Sequence, residues 1–295
     1  MDSHASAVRL ATAAMGTRFE IVLPGPDAER LRPIGEAALE EIEALHRRLT
    51  RFAASSLLSH INRVAAERPV RLDAATFALF EDALAVHRAS GGAFDITVAP
   101  LMEAWGYGPS AVGAPLAPRP LPRTGMDAIE LDPATRTIRF LRPGVSLDLG
   151  GIAKGHAVDR AAEILREHGV ESALVHGGTS SVAAIGAPEG EPGWRVALGP
   201  EPDAPVVTLR DTTLSVSGRW APDRQQDGQA SEPDASRRTS HIVDPHRGEP
   251  LAADGPTKVA VIGPSARLGD AWATALLVLG RRPATLPEDW IAYFL

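Results

Sequence analysis

Four short stretches of this 295-residue chain carry residue types that can do chemistry together. "DLGGIAKG" (148–155) sets an acid, two glycines and a lysine within one turn-sized segment, and Lys154 is one of only two lysines, with Lys258. Glycines directly before a helix let the backbone approach a ligand closely, and the unpaired N–H groups of a first helical turn favour an anion. Lys154 in that turn adds a point charge for the same anion. The Walker spacing GxxxxGK(S/T) is absent. A tight strand-to-helix turn with a solvated lysine fits the same letters.

"GDAWATALLVLG" (269–280) places Asp270 and Thr274 four apart, on one face of a helix. A carboxylate, a hydroxyl and nearby carbonyls suit a hard, oxygen-preferring cation such as Mg²⁺. Near a helix start, Asp270 would equally serve as an N-cap. "SHIVDPHRGEP" (240–250) sets His241 at a strand end beside a turn bent by Pro245 and Gly248, where it is either a general base or a structural histidine. His246, inside the turn, is a second candidate. "GGAFDITVAPLMEAWGYG" (91–108) puts Asp95 in what reads as an apolar strand, followed by Trp105 and Tyr107. That set could grip a flat heterocycle or satisfy backbone groups in a core.

These stretches need elements to hold them. Alternation at Phe19, Ile21 and Leu23 predicts a strand over 11–23, and apolar spacings of three and four predict helices over 33–49 and 74–89. The second helix stops at Gly91–Gly92. Pro and Gly make 107–126 a loop, followed by strands at 128–131 and 137–141. A helix over 152–168, strands at 170–176, 195–198, 206–209, 213–216 and 258–262, and a helix over 270–279 complete the pattern. The polar segment 223–240 lacks aliphatic core residues and reads as a mobile excursion. Runs of strands with irregular helices predict an α+β fold of antiparallel or mixed sheets with flanking helices, in one domain over 11–295 behind a flexible terminus 1–10.

Composition narrows the function. A net charge of −7 argues against nucleic-acid binding, and the absence of cysteine excludes disulfides, thiolate metal sites and cysteine nucleophiles. No signal-peptide pattern, lipid-attachment cysteine or membrane-length apolar run is visible, so the expectation is a cytoplasmic protein without membrane insertion.

Taken in order, eight segments give the chain its resemblance to a known family: "MGTRFEI", "RFAASSLLSHIN", "GGAFDITVAPLMEAWGYG", "LDLGGIAKGHAVDRAAEIL", "HGGTSSVAAIG", "SVSG", "SHIVDPHRGEP" and "GDAWATALLVLG". Together they resemble the ApbE family, the FAD:protein FMN transferases. The resemblance implies Mg²⁺-dependent cleavage of FAD, with FMN passing to a Thr or Ser hydroxyl of an acceptor protein and AMP leaving. An FAD pyrophosphatase and a non-catalytic FAD-binding protein are the alternatives on the same scaffold. Carried over by position, Asp270, Thr274 and the carbonyls of Gly151 and Ala273 would hold the metal. Met15, Phe52, Ala93, Phe94, Asp95, Asp148, Lys154 and Ile242 would face FAD, and His241 would be the catalytic base. Phe52 stands where similar proteins often have tyrosine. Arg219 and Trp220 replace an acidic or amide residue followed by tyrosine, which sets this chain apart, as do the long polar segment after them and the lack of an export signal.

Overall fold

The computed structural model describes residues 7–107, 124–199, 201–219 and 240–295. Its chain opens with a hairpin, β1 (Ala7–Ala14) and β2 (Thr17–Pro24), where the pattern suggested one strand over 11–23. Met15 and Gly16 between them take φ of 51° and 74°. Two successive left-handed residues make the tight turn that matches strand twist. β1 also takes up residues 7–10, expected in a flexible terminus; Val8, paired with Leu23, is buried there.

Helix α1 (Ala28–Leu49) starts ahead of the expected 33 because Asp27 caps it, accepting from the Arg30 N–H. The chain continues through α2 (Leu57–Val64), β3 (Val70–Arg71), α3 (Ala74–Ala89) and the short α4 (Ala99–Ala104). After a 3-10 turn at Met126–Ala128 come β4 (Ile129–Asp132) and β5 (Thr137–Phe140), which form a small sheet with β3. Then follow α5 (Ala153–Glu167), β6 (Ala173–Gly177), β7 (Ser181–Ile185), β8 (Trp194–Ala197), β9 (Val206–Leu209) and β10 (Thr212–Gly218). The last elements are β11 (Val243–Asp244), β12 (Glu249–Pro250), β13 (Lys258–Gly263), α6 (Ala266–Leu279) and β14 (Ile291–Phe294).

Seven strands form one sheet in the order β1-β2-β6-β7-β10-β13-β14, every neighbouring pair antiparallel. Successive side chains in a strand point to opposite faces, and both faces here are covered. Ala183, Ile185, Val259 and Val261 join the main core with α1, α5 and α6, whereas Val182, Ala184, Leu214 and Ala260 pack under the β8–β9 ribbon. The result is the α+β architecture the pattern predicts. Among the described residues no helix is long and apolar enough to cross a membrane.

Two expectations need correcting. Asp95 lies in an irregular segment between α3 and α4, because Gly91 and Gly92 take φ of 64° and 89° and break the extended run. Helix α6 begins at Ala266, not 270, because Ser265 caps it by accepting from the Leu268 N–H. Asp270 is therefore a second-turn residue and not an N-cap. Residues 108–123 of the expected loop, and all of 223–240 except Ser240, lie outside the described residues.

Candidate active site

Helices α5 and α6 meet at Gly155, where an added Cβ would fall 2.1 Å from the Ala266 carbonyl oxygen. Only a residue without a side chain permits this approach. One turn further along α5, Asp159 accepts from the Ser265 hydroxyl at 2.7 Å and from the Ala266 and Arg267 N–H groups at 2.8 and 3.0 Å. A carboxylate on one helix thus closes the first turn of the other. Burial raises the pKa of Asp159, and these three bonds oppose the shift.

The close crossing sets the chemistry-bearing residues beside each other. Asp270 is 2% exposed, accepts from the Gly155 N–H at 3.1 Å, and has Lys154 Nζ at 3.8 Å. Burial raises its pKa, and the Lys154 charge pulls in the other direction. Lys154 also donates to the Gly150 carbonyl at 2.9 Å. The lysine therefore turns inward, toward the carboxylate, and is not simply solvated. The Thr274 hydroxyl donates to the Asp270 carbonyl at 3.1 Å and lies 3.0 Å from the Ser217 hydroxyl. A Cβ on Gly151 would sit 3.2 Å from both Thr274 Oγ1 and the Phe94 ring.

Asp270, Thr274, Gly151, Lys154 and Phe94 are thus brought together, with Ala273 buried on the same helix. No group of three or more His, Asp or Glu that could hold a metal occurs among the described residues. The donors at this junction are one buried carboxylate, one hydroxyl and backbone carbonyls. That set fits a small hard cation that keeps some of its water.

Asp148 shapes the turn ahead of Lys154. Its Oδ1 accepts from the Gly150 N–H at 2.7 Å, and its N–H donates to the Ile96 carbonyl at 2.8 Å. Its Oδ2 pairs with Arg51 Nε at 2.7 Å, and the Arg51 guanidinium lies 5.0 Å from the centre of the Phe52 ring. Phe52 is 60% exposed. An apolar ring left that open beside Arg51 is available to stack on a flat ligand.

Asp95 is held inside its own loop. Its Oδ1 accepts from the Thr97 N–H and O–H, each at 2.6 Å, and burial raises its pKa. With His87, Thr124 and His246 it borders a cavity of about 410 Å³. Met15 lies at the β1–β2 turn, where its N–H donates to His46 Nδ1 at 3.2 Å.

His241 and Ile242 precede β11. The Ile242 N–H donates to the Ser240 hydroxyl, and that hydroxyl donates to the Arg219 carbonyl at 2.9 Å. The histidine segment is therefore tied to the end of β10, two residues past Ser217. Trp105 and Tyr107, which the sequence suggested as grips for a heterocycle, put their polar ends on this segment instead. Trp105 Nε1 donates to the Gly248 carbonyl at 2.8 Å and the Tyr107 hydroxyl to the Ser240 carbonyl at 3.0 Å. Arg219 is 2% exposed and donates to the Asp254 and Pro256 carbonyls, while Trp220 lies outside the described residues.

Sequence reasoning passed over Arg51, Gly155, Asp159 and Ser217. Ser215 and Ser217 do alternate on one face of β10, and that face meets α6 through the Ser215–Ala266 and Ser217–Thr274 bonds. Period-two serines in an apolar strand were the available signal; the other three residues carry none, since their partners are remote.

Comparison with known proteins identifies the family and the fold. The model of the ApbE family matches residues 15–288. The FAD:protein FMN transferase of Salmonella typhimurium is 30% identical over 287 residues, covering 92% of this chain and 78% of that one. The Treponema pallidum protein of the same name is 32% identical over 277 residues, covering 84% and 74%. Among solved structures, the ApbE protein of Thermotoga maritima superposes with a TM-score of 0.79 at 28% identity, covering 93% of this chain and 87% of that one. Flavin transferase ApbE from Vibrio cholerae gives a TM-score of 0.76 at 26% identity, with coverage of 98% and 97%.

Proposed function

The chain belongs to the ApbE family, and from that premise we propose that it is an FAD:protein FMN transferase, passing the FMN half of FAD to a Thr or Ser hydroxyl of an acceptor protein and releasing AMP. The observation that carries this reading is the α5–α6 junction. There a carboxylate only 2% exposed, Asp270, meets Lys154 and a threonine hydroxyl that faces Gly151.

Each residue then has a task. Lys154 and the Gly150–Gly151 backbone receive the pyrophosphate of FAD, a dianion suited to a cation beside closely approachable main chain. The Asp270 carboxylate, the Thr274 hydroxyl and the carbonyls of Gly151 and Ala273 are the groups that would hold Mg²⁺; when bound, the ion neutralises charge on the phosphate oxygens. His241 takes the proton of the acceptor hydroxyl as that oxygen attacks phosphorus. The bond from this phosphorus to the AMP phosphate breaks, and its electron pair leaves with AMP. Phe52 stacks on the flavin ring, and Met15, Ala93, Phe94, Asp95, Asp148 and Ile242 border the rest of FAD.

The test combines the purified chain with FAD, Mg²⁺ and acceptor domains bearing an exposed Thr or Ser. Expected are AMP and an acceptor whose mass rises by one FMN moiety, both abolished by EDTA. AMP and free FMN with no gain of acceptor mass would assign the attack to water and overturn the transferase reading.

A further inference from the structure

Two residues, Arg51, which sequence reasoning passed over, and Tyr107, which it read as a grip for a heterocycle, join the two sides of the proposed centre. Arg51 follows α1 and its side chain is only 6% exposed. Its Nε lies 2.7 Å from Asp148 Oδ2, a charge–charge contact without the angle of a hydrogen bond, and Asp148 Oδ1 accepts from the Gly150 N–H at 2.7 Å. A second nitrogen of the same guanidinium, Nη2, donates to the Tyr107 carbonyl at 2.7 Å. A third, Nη1, pairs with Glu103 on α4 at 3.2 Å. Tyr107 in turn donates its hydroxyl to the carbonyl of Ser240, the residue before His241. A planar fork is suited to fixing several acceptors at set angles, where an ammonium would supply one point charge.

We propose that Arg51 and Tyr107 form a polar strap that sets the position of His241 relative to the Gly150–Gly151 turn. Both are positioning residues, because neither needs to touch the reacting atoms. Arg51 fixes Asp148 and the main chain of Tyr107; the tyrosine carries that position across to Ser240. Trp105 secures the far end of the same hairpin through Gly248. The tyrosine bond joins residues 133 apart in sequence. The strap's bearing on catalysis rests on the transferase reading above. Its bearing on the 240–250 hairpin does not.

The test uses Tyr107→Phe, which keeps the ring and deletes the hydroxyl, in the full chain. Amide hydrogen exchange is followed at 241–244, beside kcat for FMN transfer, the Kd of FAD by flavin fluorescence, and Tm. Removing this partly buried hydrogen bond is expected to speed exchange at 241–244 and lower kcat by about three- to tenfold, with FAD affinity unchanged. Arg51→Met, which cuts both limbs, should weaken FAD and lower kcat together, and Arg51→Lys should restore only part of either. Unchanged exchange at 241–244 in Tyr107→Phe overturns the strap. Faster exchange with wild-type kcat, or a loss of FAD affinity matching the loss of kcat, overturns its positioning role. A wild-type chain that transfers no FMN refutes the transferase reading, and the exchange arm then decides the strap alone.

Discussion

Replacing Gly155 by alanine should damage stability and site together, by an amount the helix crossing sets. The new methyl would lie 2.1 Å from the Ala266 oxygen, 2.5 Å from its carbonyl carbon and 2.8 Å from Arg267 Cα. All three are backbone atoms, so no rotamer change relieves the overlap. The closest ordinary carbon–oxygen contacts are about 3.3 Å, so α5 and α6 must part by more than about 1 Å. The N–H bonds from Ala266 and Arg267 to Asp159, now 2.8 and 3.0 Å, would stretch toward breaking. Overpacking costs about 1–3 kcal/mol and a weakened bond to a charged group about 1.5–3, so roughly 3 kcal/mol is expected. At a few degrees per kcal/mol for a domain of this size, Tm should fall by about 6–12 °C. The Gly155 N–H bond to Asp270 would be lost in the same movement, and Mg²⁺-dependent transfer with it. Thermal unfolding followed by circular dichroism reads the first effect, and initial transfer rates the second. A variant that melts within about 1 °C of wild type would show that the crossing is not as tight as argued.

Three further outcomes follow from the same geometry. Asp270→Ala should abolish transfer and leave no response to added Mg²⁺; retained Mg²⁺-stimulated turnover would remove Asp270 from the ion's ligands. His241→Ala should keep the FAD affinity of wild type while losing transfer by about 10²-fold or more, and a wild-type rate would refute its role as base. Burial, with the Arg267 charge and others added, lowers the pKa of His156 from 6.5 to about 3. Below pH 6.5 the unfolded chain takes a proton the native chain refuses, so this histidine lowers stability progressively from pH 6.5 to about 3. The loss is about 2 kcal/mol at pH 5, and chemical denaturation of His156→Gln between pH 7.5 and 5 should show that much less slope than wild type.

Sequence pattern and structure agree where the information is local. Helix α3 is legible at both ends because Asp73 caps it and the glycine pair stops it. Asp270 and Thr274 share a face because their spacing equals one turn, whatever the tertiary fold does. The start of α6 differs from the expected 270 because the apolar run begins only there, while Ser265 caps the helix a turn earlier with Asp159 on α5 adding acceptors from a remote part of the chain. Asp95 was misread as a strand residue because its apolar neighbours are buried in an irregular loop, where period gives no guidance. Trp105 and Tyr107 show the same limit from the other side. Their rings suggested stacking, but their N–H and O–H groups reach carbonyls whose positions only the fold determines.

The partners that build the site are remote along the chain: 115 residues separate Gly155 from Asp270, 133 separate Tyr107 from Ser240, and 143 separate Trp105 from Gly248. Closing loops of that length is entropically slow, and contacts of high sequence separation form late in folding. A partly folded chain can therefore hold the β1–β2 hairpin or helix α3 and still lack the α5–α6 junction on which the proposed reaction depends. Competence for chemistry arrives only with global cooperativity. Recovery of turnover after dilution from denaturant should accordingly lag the recovery of helical signal, making catalysis itself the most stringent reporter of complete folding.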